Sequence, residues 1–585
     1  MRFRSPYFQV LLVCFTATTF LAQNTKAPPS SGNPNYQQGL AAIQRGDLKT
    51  AQLEFQKAVR LSPSNAEAHN YLGWILLSQR QFEPAMVQLK TALKLRPTFA
   101  EAHINLSNVL LQTGDLDGAL AETDIAVGLL PNSAEAHRNR GRVLSFRHDL
   151  QGAINELRGA VELQPERADL HDELGSVLAQ TSRMDEAAQE FANAARLNPD
   201  FPPAHLHLGV VRLQQRAFED AVNHLRIAVK LVPDNAQGHY YFGQALQEQG
   251  MKDEALQEFK TAVKLQPTNA EAQNQLGFLL HRTGDVEAAV SAFRDVVQLH
   301  PTDASAHNNL GLALIQIGDA AGSVSEFEAA LRLKPDDSDY RGNLGIAYLQ
   351  KADFDTAIIQ FQAALKTAPD DATLHYDLGL ALKLKDQLSD SVVELRRATA
   401  LNPNQADIHY TLGVTLWQQG EFDKAVEELR SALRVQPDYA EAYYTLGTVL
   451  KQQQKLPEAA TALREAIRLN PDFAGAHTTL GAVLRQMGDT EGAAAEMKAG
   501  AELSKQKTGL QAATFATNSG RRLLSMGDID GAIGQFRSAI TSMPTYAPGH
   551  QQLGFALQQK GQREEARKEF QKASELDPNL HSPTQ

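Results

Sequence analysis

Residues 304–337 read ASAHNNLGLALIQIGDAAGSVSEFEAALRLKPDD, and this stretch decides the fold. Leu310, Gly311 and Leu314 are three to four positions apart, which is the spacing of one face of a helix. Gly318-Asp319 then supplies a turn, and a second helical pattern runs until Pro335, a residue that cannot continue a helix. The stretch therefore predicts two helices joined by a tight turn.

The same pattern recurs along the chain with a period of 34 residues. Prolines stand 34 residues apart without a break from Pro63 to Pro471, and Pro544 and Pro578 repeat the spacing. Taking this proline as position 32 of a repeat gives sixteen repeats, in which position 8 is glycine fifteen times. Positions 20 and 27 are alanine fourteen times each, and such small residues are needed where two helices approach closely. A stack of repeats that bury their apolar faces on one another is expected.

These residues resemble the tetratricopeptide repeat family, from Gly32 to Leu580. In residues 304–337 the resemblance is carried by Leu310-Gly311, Leu314, Ser323, Phe327, Ala330 and Pro335. It implies an all-α, right-handed superhelical solenoid of about sixteen 34-residue helix-turn-helix repeats. Repeats such as 440–473 are similar to those of O-GlcNAc transferase. No residues remain for a glycosyltransferase domain, so we expect a chain that is not an enzyme.

The N-terminus has the features of a signal peptide over residues 1–22. Arg2 and Arg4 precede an uncharged, mainly apolar stretch from Val10 to Ala22, which is shorter than the ~20 residues of a membrane span. We expect cleavage after Ala22 and export to the periplasm or the cell exterior. An uncleaved anchor and a lipid on Cys14 are the alternatives, and no other apolar run is long enough to cross a membrane.

The remaining boundaries follow from the repeat register. Residues 23–31 are interpreted as a flexible leader because they contain Pro28, Pro29, Ser30 and Ser31. Repeats 1–14 occupy 32–507 and repeats 15–16 occupy 513–580, and 581–585 form a tail. The five extra residues 508–512 predict an insertion or kink, either as a lengthened second helix or as a bend.

Charge and cysteine content exclude several classes of function. The net charge of −12 arises from interleaved acids and bases, whereas nucleic-acid and anionic-membrane surfaces need clustered Lys and Arg. Cys14 is the single cysteine and lies in the expected signal, so neither disulfides nor thiolate metal sites are expected. We find no catalytic, cofactor or metal motif.

Histidine at repeat position 4 is the most suggestive chemical feature. Its spacing suggests a metal or pH-sensing ladder, but position 4 shares the packing face with positions 8 and 11, so we expect a structural role. The eleven residues are His69, His103, His137, His171, His205, His239, His307, His375, His409, His477 and His550.

Positions 2, 5, 6, 9, 12 and 13 form the opposite face of each first helix, which in the family resembles the inner wall of the superhelix. Side-chain amides there can pair with any peptide backbone, and tyrosines add contact area. We expect partner binding by Asn70, Asn105, Asn139, Tyr240, Asn274, Asn308, Asn309, Asn343, Tyr376, Tyr410, Tyr444, Gln418 and Gln452.

The sequence thus predicts a non-catalytic scaffold that holds proteins or extended peptides in this groove, in the cell envelope or periplasm. Three alternatives remain open: a merely solvated wall, a groove that guides a carbohydrate polymer in an export assembly, and a repeat subunit that accompanies an enzyme. The sequence specifies neither the partner nor the oligomeric state.

Overall fold

The computed structural model describes residues 33–580, and all regular structure in that range is α-helical. The predicted signal peptide (1–22), the leader (23–31) and the tail (581–585) lie outside the described residues. The chain divides into two compact units between Pro301 and Thr302. Within each unit the helices pack in consecutive pairs, with one pair in each 34-residue repeat except where one long helix is shared by repeats 14 and 15, which confirms the predicted all-α solenoid.

The first unit consists of repeats 1–8, each with a first helix and a second helix. The helices are α1 Pro34–Gln44, α2 Leu48–Leu61, α3 Ala66–Ser78, α4 Phe82–Leu95, α5 Ala100–Thr113, α6 Leu116–Leu129, α7 Ala134–Phe146, α8 Leu150–Leu163, α9 Ala168–Gln180, α10 Met184–Leu197, α11 Pro202–Gln214, α12 Phe218–Leu231, α13 Ala236–Glu248, α14 Lys252–Leu265, α15 Ala270–Thr283 and α16 Val286–Leu299.

The second unit consists of repeats 9–16. Its helices are α17 Ala304–Gln316, α18 Ala320–Leu333, α19 Ser338–Gln350, α20 Phe354–Thr367, α21 Ala372–Leu384, α22 Leu388–Leu401, α23 Ala406–Gln418, α24 Phe422–Val435, α25 Ala440–Gln452, α26 Leu456–Leu469, α27 Ala474–Gln486, α28 Thr490–Ser525, α29 Ile529–Ser542, α30 Ala547–Gln559 and α31 Arg563–Leu576.

The turn between the two helices of a repeat follows from its Gly-Asp pair. Gly318 has a φ of +80°, a conformation that side-chain-bearing residues rarely adopt. Asp319 then caps α18, because its Oδ1 accepts a hydrogen bond from the Gly322 amide at 2.9 Å. One residue ends the first helix and the next begins the second.

Position 8 is glycine because the second helix of the same repeat lies against it. A Cβ atom added to Gly345 would lie 2.5 Å from Cε1 of Phe361, which is fully buried. At Gly379 the same atom would lie 2.7 Å from Cγ of Leu395. The small residue at position 8 thus makes room for the large one at position 24, which fills the core of each repeat.

The repeat register breaks once, and there the structure has one long helix. α28 runs over 36 residues, from Thr490 to Ser525, and joins the second helix of repeat 14 to the first helix of repeat 15. Lys505 stands where other repeats have a helix-ending proline, and residues 508–512 lie inside the helix. Of the two possibilities that the sequence left open, the structure has the lengthened helix.

Candidate functional site

The first helices define an inner face in each unit. A first helix touches the first helix of the next repeat, as α3 touches α5 and α21 touches α23. Consecutive second helices make no comparable contact in the part of the chain that the structure describes. Because the stack is tighter on the side of the first helices, that side is the concave one. Positions 5 and 12 point towards the next repeat and positions 6 and 13 towards the previous one, so position 5 meets the residue 35 places further on.

In the first unit, polar side chains at position 5 of one repeat and position 6 of the next form hydrogen-bonded pairs. Asn105 Nδ2 donates to Asn70 Oδ1 at 2.9 Å, and His207 Nδ1 donates to Asp172 Oδ1 at 2.8 Å. The Nε and Nη2 atoms of Arg138 donate to the Glu173 carboxylate at 3.0 and 2.5 Å. We call these side chains the paired strip: Asn70, Asn105, Arg138, Glu173, Asp172 and His207.

The charges of the paired strip are also balanced by neighbouring side chains of the protein. Burial by itself would lower the pKa of Arg138, but the Glu173 and Glu135 carboxylates outweigh burial and raise that pKa. Burial likewise opposes ionisation of Asp169, whose pKa is nevertheless lowered because Arg167 donates hydrogen bonds to it and Arg138 lies 3.2 Å away. A ligand would have to compete with these partners.

In the second unit the corresponding row carries tyrosines that remain half-buried. Tyr376 approaches Thr411 at 3.4 Å between the two hydroxyl oxygens. The ring of Tyr410 lies 5.0 Å from that of Tyr439, and the ring of Tyr444 lies 4.8 Å from that of Phe473. Each ring is therefore held in place by a neighbour while part of it stays accessible.

Beside the tyrosines runs a row of aliphatic side chains at repeat position 9, in the middle of the inner face. Leu312 is 39% exposed, and Ile346, Leu380 and Val414 are half-buried. In repeats 5 and 6 of the first unit the same position holds Ser176 and Val210, which are both buried. We call the following residues the open strip: Leu312, Ile346, Leu380, Val414, Tyr376, Tyr410 and Tyr444.

The aliphatic row was not identified from the sequence, which was interpreted as a polar wall of amides and tyrosines. Comparing repeat position 9 along the chain would have revealed the run of Leu, Ile, Leu and Val in repeats 9–12. Leu384, at position 13, adds a side chain that is 51% exposed, where most repeats of this unit have glutamine.

The predicted partner-binding residues differ widely in accessibility. Their binding role stays a prediction, but the structure separates three groups. Buried are Asn70, Asn105, Asn139 and Tyr240; half-buried are Asn274, Asn308, Asn309, Asn343, Tyr376, Tyr410 and Tyr444; exposed are Gln418 and Gln452. Some of them bind neighbours, as Asn343 Nδ2 donates to Asn308 Oδ1 at 2.8 Å and Trp417 Nε1 to Gln452 Oε1 at 2.7 Å.

The histidines at position 4 tie one repeat to the next. Their Nε2 atoms donate to the carbonyl of the preceding repeat's proline at 2.9–3.1 Å, and their Nδ1 atoms contact a Glu of the second helix at 2.5–2.7 Å. These are His103, His137, His171, His239, His375, His409, His477 and His550. Hydrogen bonds to Glu190 and Glu258 raise the pKa of His171 and His239. Both ring nitrogens are thus used inside the protein.

Two ionisable groups of α21 have shifted pKa values. Burial, together with the nearby Asp371 carboxylate, raises the pKa of Asp377 to about 7. Burial lowers the pKa of Lys383.

Over residues 33–580, no three His, Cys, Asp or Glu side chains converge as metal ligands would. No helix in that range has the length and apolar character that a membrane crossing needs.

Solved structures with a similar fold cover different parts of this chain. The APC/C hetero-tetramer Cut9–Hcn1 is 15% identical over 78% of this chain and 96% of that one, with a TM-score of 0.35. YrrB, titled a TPR protein with an unusual peptide-binding site, is 23% identical over 32% and 95%, with a TM-score of 0.28. PilF of Pseudomonas aeruginosa is 24% identical over 36% and 95%, with a TM-score of 0.34. Such low scores carry no inference about what this chain binds.

No curated protein matches this sequence. Family profiles do match most of it. Profiles described as tetratricopeptide repeat match residues 36–89, 87–134, 138–205, 206–270, 274–338, 338–371 and 547–580, and one described as TPR repeat matches 382–420, 416–454 and 447–488. Together with the paired helices and their 34-residue period, these matches establish that the chain belongs to the tetratricopeptide repeat family.

Proposed function

We propose that this chain is a protein-binding scaffold whose open strip holds an extended polypeptide segment of a partner. Tetratricopeptide repeat proteins are in general non-catalytic scaffolds that bind protein or peptide partners. The observation that carries the proposal for this chain is the open strip itself. Its aliphatic and aromatic side chains are partly accessible on consecutive first helices, α17 to α25, whereas the side chains of the paired strip bind one another.

The chemistry of the open strip suits a peptide. Half-exposed Leu380 and Val414 offer apolar contact area, and tyrosines bind with little loss of conformational entropy because they have few rotatable bonds. Exposed Gln418 can both donate and accept hydrogen bonds, as a peptide backbone requires. Apolar anchors surrounded by amides are typical of grooves that bind extended segments.

Site-specific photo-crosslinking tests the proposal. We would place p-benzoylphenylalanine at Leu380, on the inner face, and separately at Val393, an exposed residue of the second helix α22 in the same repeat. Irradiation in the native cell extract should attach a protein to the Leu380 variant and not to the Val393 variant. Adding Tyr376→Ala and Tyr410→Ala should weaken that attachment about tenfold or more, the usual effect of removing aromatic anchors.

Two results would contradict the proposal. Equal crosslinking at Leu380 and Val393 would show that contact with proteins is not specific to the inner face. Attachment of glycan chains to the Leu380 variant, without protein, would instead support the carbohydrate-polymer guide.

We further propose that the chain acts in the cell envelope or periplasm. Support comes from Arg2, Arg4 and the apolar stretch Val10 to Ala22, which have the composition of a signal peptide. Sequencing the N-terminus of the protein purified from its own cells should yield Gln23 as the first residue. An N-terminus at Met1 in a cytoplasmic fraction would reject the proposal, and a lipid-modified Cys14 would replace cleavage after Ala22 by anchoring.

A further inference from the structure

Asp377 occupies position 6 of repeat 11. In other repeats the side chain at position 6 is contacted by the side chain at position 5 of the preceding repeat. Asn308 contacts Asn343 in this way, and Tyr376 contacts Thr411. The residue 35 places before Asp377 is Gly342, which has no side chain to offer. Leu374 Cδ2 fills that space instead, 2.8 Å from where a Gly342 Cβ would be. Within the described residues, the carboxylate has neither a hydrogen-bond nor an ion-pair partner.

No cation close by neutralises this half-buried carboxylate. On its own helix, Asp371 is a second carboxylate that raises the pKa of Asp377, and Lys383 is about 9 Å further along the helix axis, on another side of it. On α19, Asp339 is exposed and acidic, and the guanidinium of Arg341 donates to the Pro335 carbonyl. On α23, Asp407 accepts a hydrogen bond from the Tyr439 hydroxyl, and His409 contacts Glu428.

An unpaired carboxylate that is partly removed from water favours a cation as its ligand. A lysine or arginine side chain suits this position better than a metal ion, since one carboxylate supplies too few ligands for a divalent cation. Leu380 lies one helical turn from Asp377, so the aliphatic stem of the ligand can pack on it while the charged head reaches the carboxylate.

We propose that Asp377, which lies beside the open strip on α21, determines its specificity and pairs with a lysine or arginine side chain of the bound segment. This inference rests on the proposed function, because it assumes that a peptide occupies the open strip. It adds the requirement that the segment carry a basic residue beside its apolar ones. Charge complementarity and the missing side chain at Gly342 carry the inference.

Selection from a phage-displayed library of random heptapeptides on the purified full chain tests this pairing. Three proteins would be compared: wild type, Asp377→Asn, and the control Asp339→Asn, which removes one negative charge from an exposed position of the neighbouring first helix. Wild type and Asp339→Asn should select peptides that combine apolar residues with Lys or Arg. Asp377→Asn should select apolar peptides without that basic enrichment.

Synthetic copies of the selected peptides give the quantitative test. Those chosen by wild type should bind Asp377→Asn about tenfold more weakly, and Asp339→Asn about as tightly as wild type. Replacing their basic residue by norleucine should abolish the difference between wild type and Asp377→Asn. Peptides that bind through Tyr376 and Tyr410 but show no preference for basic residues would overturn the role of Asp377 and leave the proposed function standing. Failure of all three folded proteins to select any peptide would overturn both.

Discussion

The paired strip of the first unit and the open strip of the second both lie on the inner faces of first helices, yet they differ in what their side chains contact. In the first unit Asn105, Glu173 and His207 each bind the residue 35 places earlier, so these polar groups fasten one repeat to the next. In the second unit Asp377 has no side-chain partner at Gly342, and tyrosines and aliphatic side chains keep part of their surface accessible. A repeat face becomes part of the stack where its polar groups are satisfied internally, and it stays available to a ligand where they are not.

The largest effect is expected from Arg138→Ala in the paired strip. Arg138 is 15% exposed, and its loss removes the arginine that pairs with Glu173, whereas Glu135 and Asp169 keep their ion pairs with Arg167. Removing one partner of a fully buried ion pair costs about 3–5 kcal/mol, and we expect about 3 kcal/mol for this pair, whose side chains are 15% and 27% exposed. Because a long repeat array does not unfold as one unit, the measurement is the opening free energy of α7 and α9 by hydrogen exchange.

The control for Arg138→Ala is Lys385→Ala, which removes an exposed ion pair with Asp355 in the second unit. Exposed pairs contribute less than about 1 kcal/mol, so α20 and α21 should open almost as in the wild type. Equal losses in the two variants would contradict the view that the paired strip has a special structural role.

A smaller effect, of the opposite sign, is expected from Asp377→Asn at neutral pH. Because burial raises the pKa of Asp377 from 3.8 to about 7, the folded state holds its proton more tightly than the unfolded state. Stability therefore falls as the pH rises from about 4 to 7, and the loss is complete above that range. Asp377→Asn should remove this fall and strengthen α21 by roughly 2 kcal/mol at pH 8. Opening free energies of α21 at pH 5 and pH 8 measure it.

A contrasting pH window on α9, in the first unit, sharpens this prediction. A hydrogen bond to Glu190 raises the pKa of His171 on α9 above 6.5, so the stabilisation from this pair is complete below that pH. This stabilisation is lost as the pH rises through the pKa that His171 has in the folded state. The opening free energy of α9 should therefore fall only above about pH 6.5. If α21 lost no stability between pH 4 and 7, the unpaired state of Asp377 would be refuted.

The fold was predictable because its determinants are local and repeated. Gly318 ends one helix, Asp319 caps the next and Pro335 ends it, and the same residue types recur every 34 positions. The exception is α28, where the absence of a proline at Lys505 allowed two outcomes. The structure has a continuous helix of 36 residues there, which packs against α27, α29 and α30.

The site was predictable only in part, because accessibility depends on contacts between repeats. The sequence identified the inner face and its tyrosines, but it did not distinguish Asn105, which is 2% exposed, from the half-buried Asn343 at the same repeat position. That distinction depends on how closely consecutive first helices approach. The offset of 35 residues between partners also had to come from the structure, since the period alone predicts 34.

The smallest effect is expected at Asn343, and it is compared with the effect at Asn105, which occupies the same repeat position in the first unit. Asn105→Ala leaves Asn70 Oδ1 without its donor on a side chain that is only 5% exposed, and a buried unsatisfied group costs about 1–3 kcal/mol. Asn343→Ala removes the same kind of hydrogen bond, but the half-buried Asn308 can turn to water, so we expect a loss of about 0.5 kcal/mol. Amide hydrogen exchange of α3 and α17 measures the opening free energy lost in each variant, and the two losses are then compared. Equal losses would mean that position 6 is equally closed to water in the two units, and this would contradict the view that the inner face of the second unit is the more accessible one.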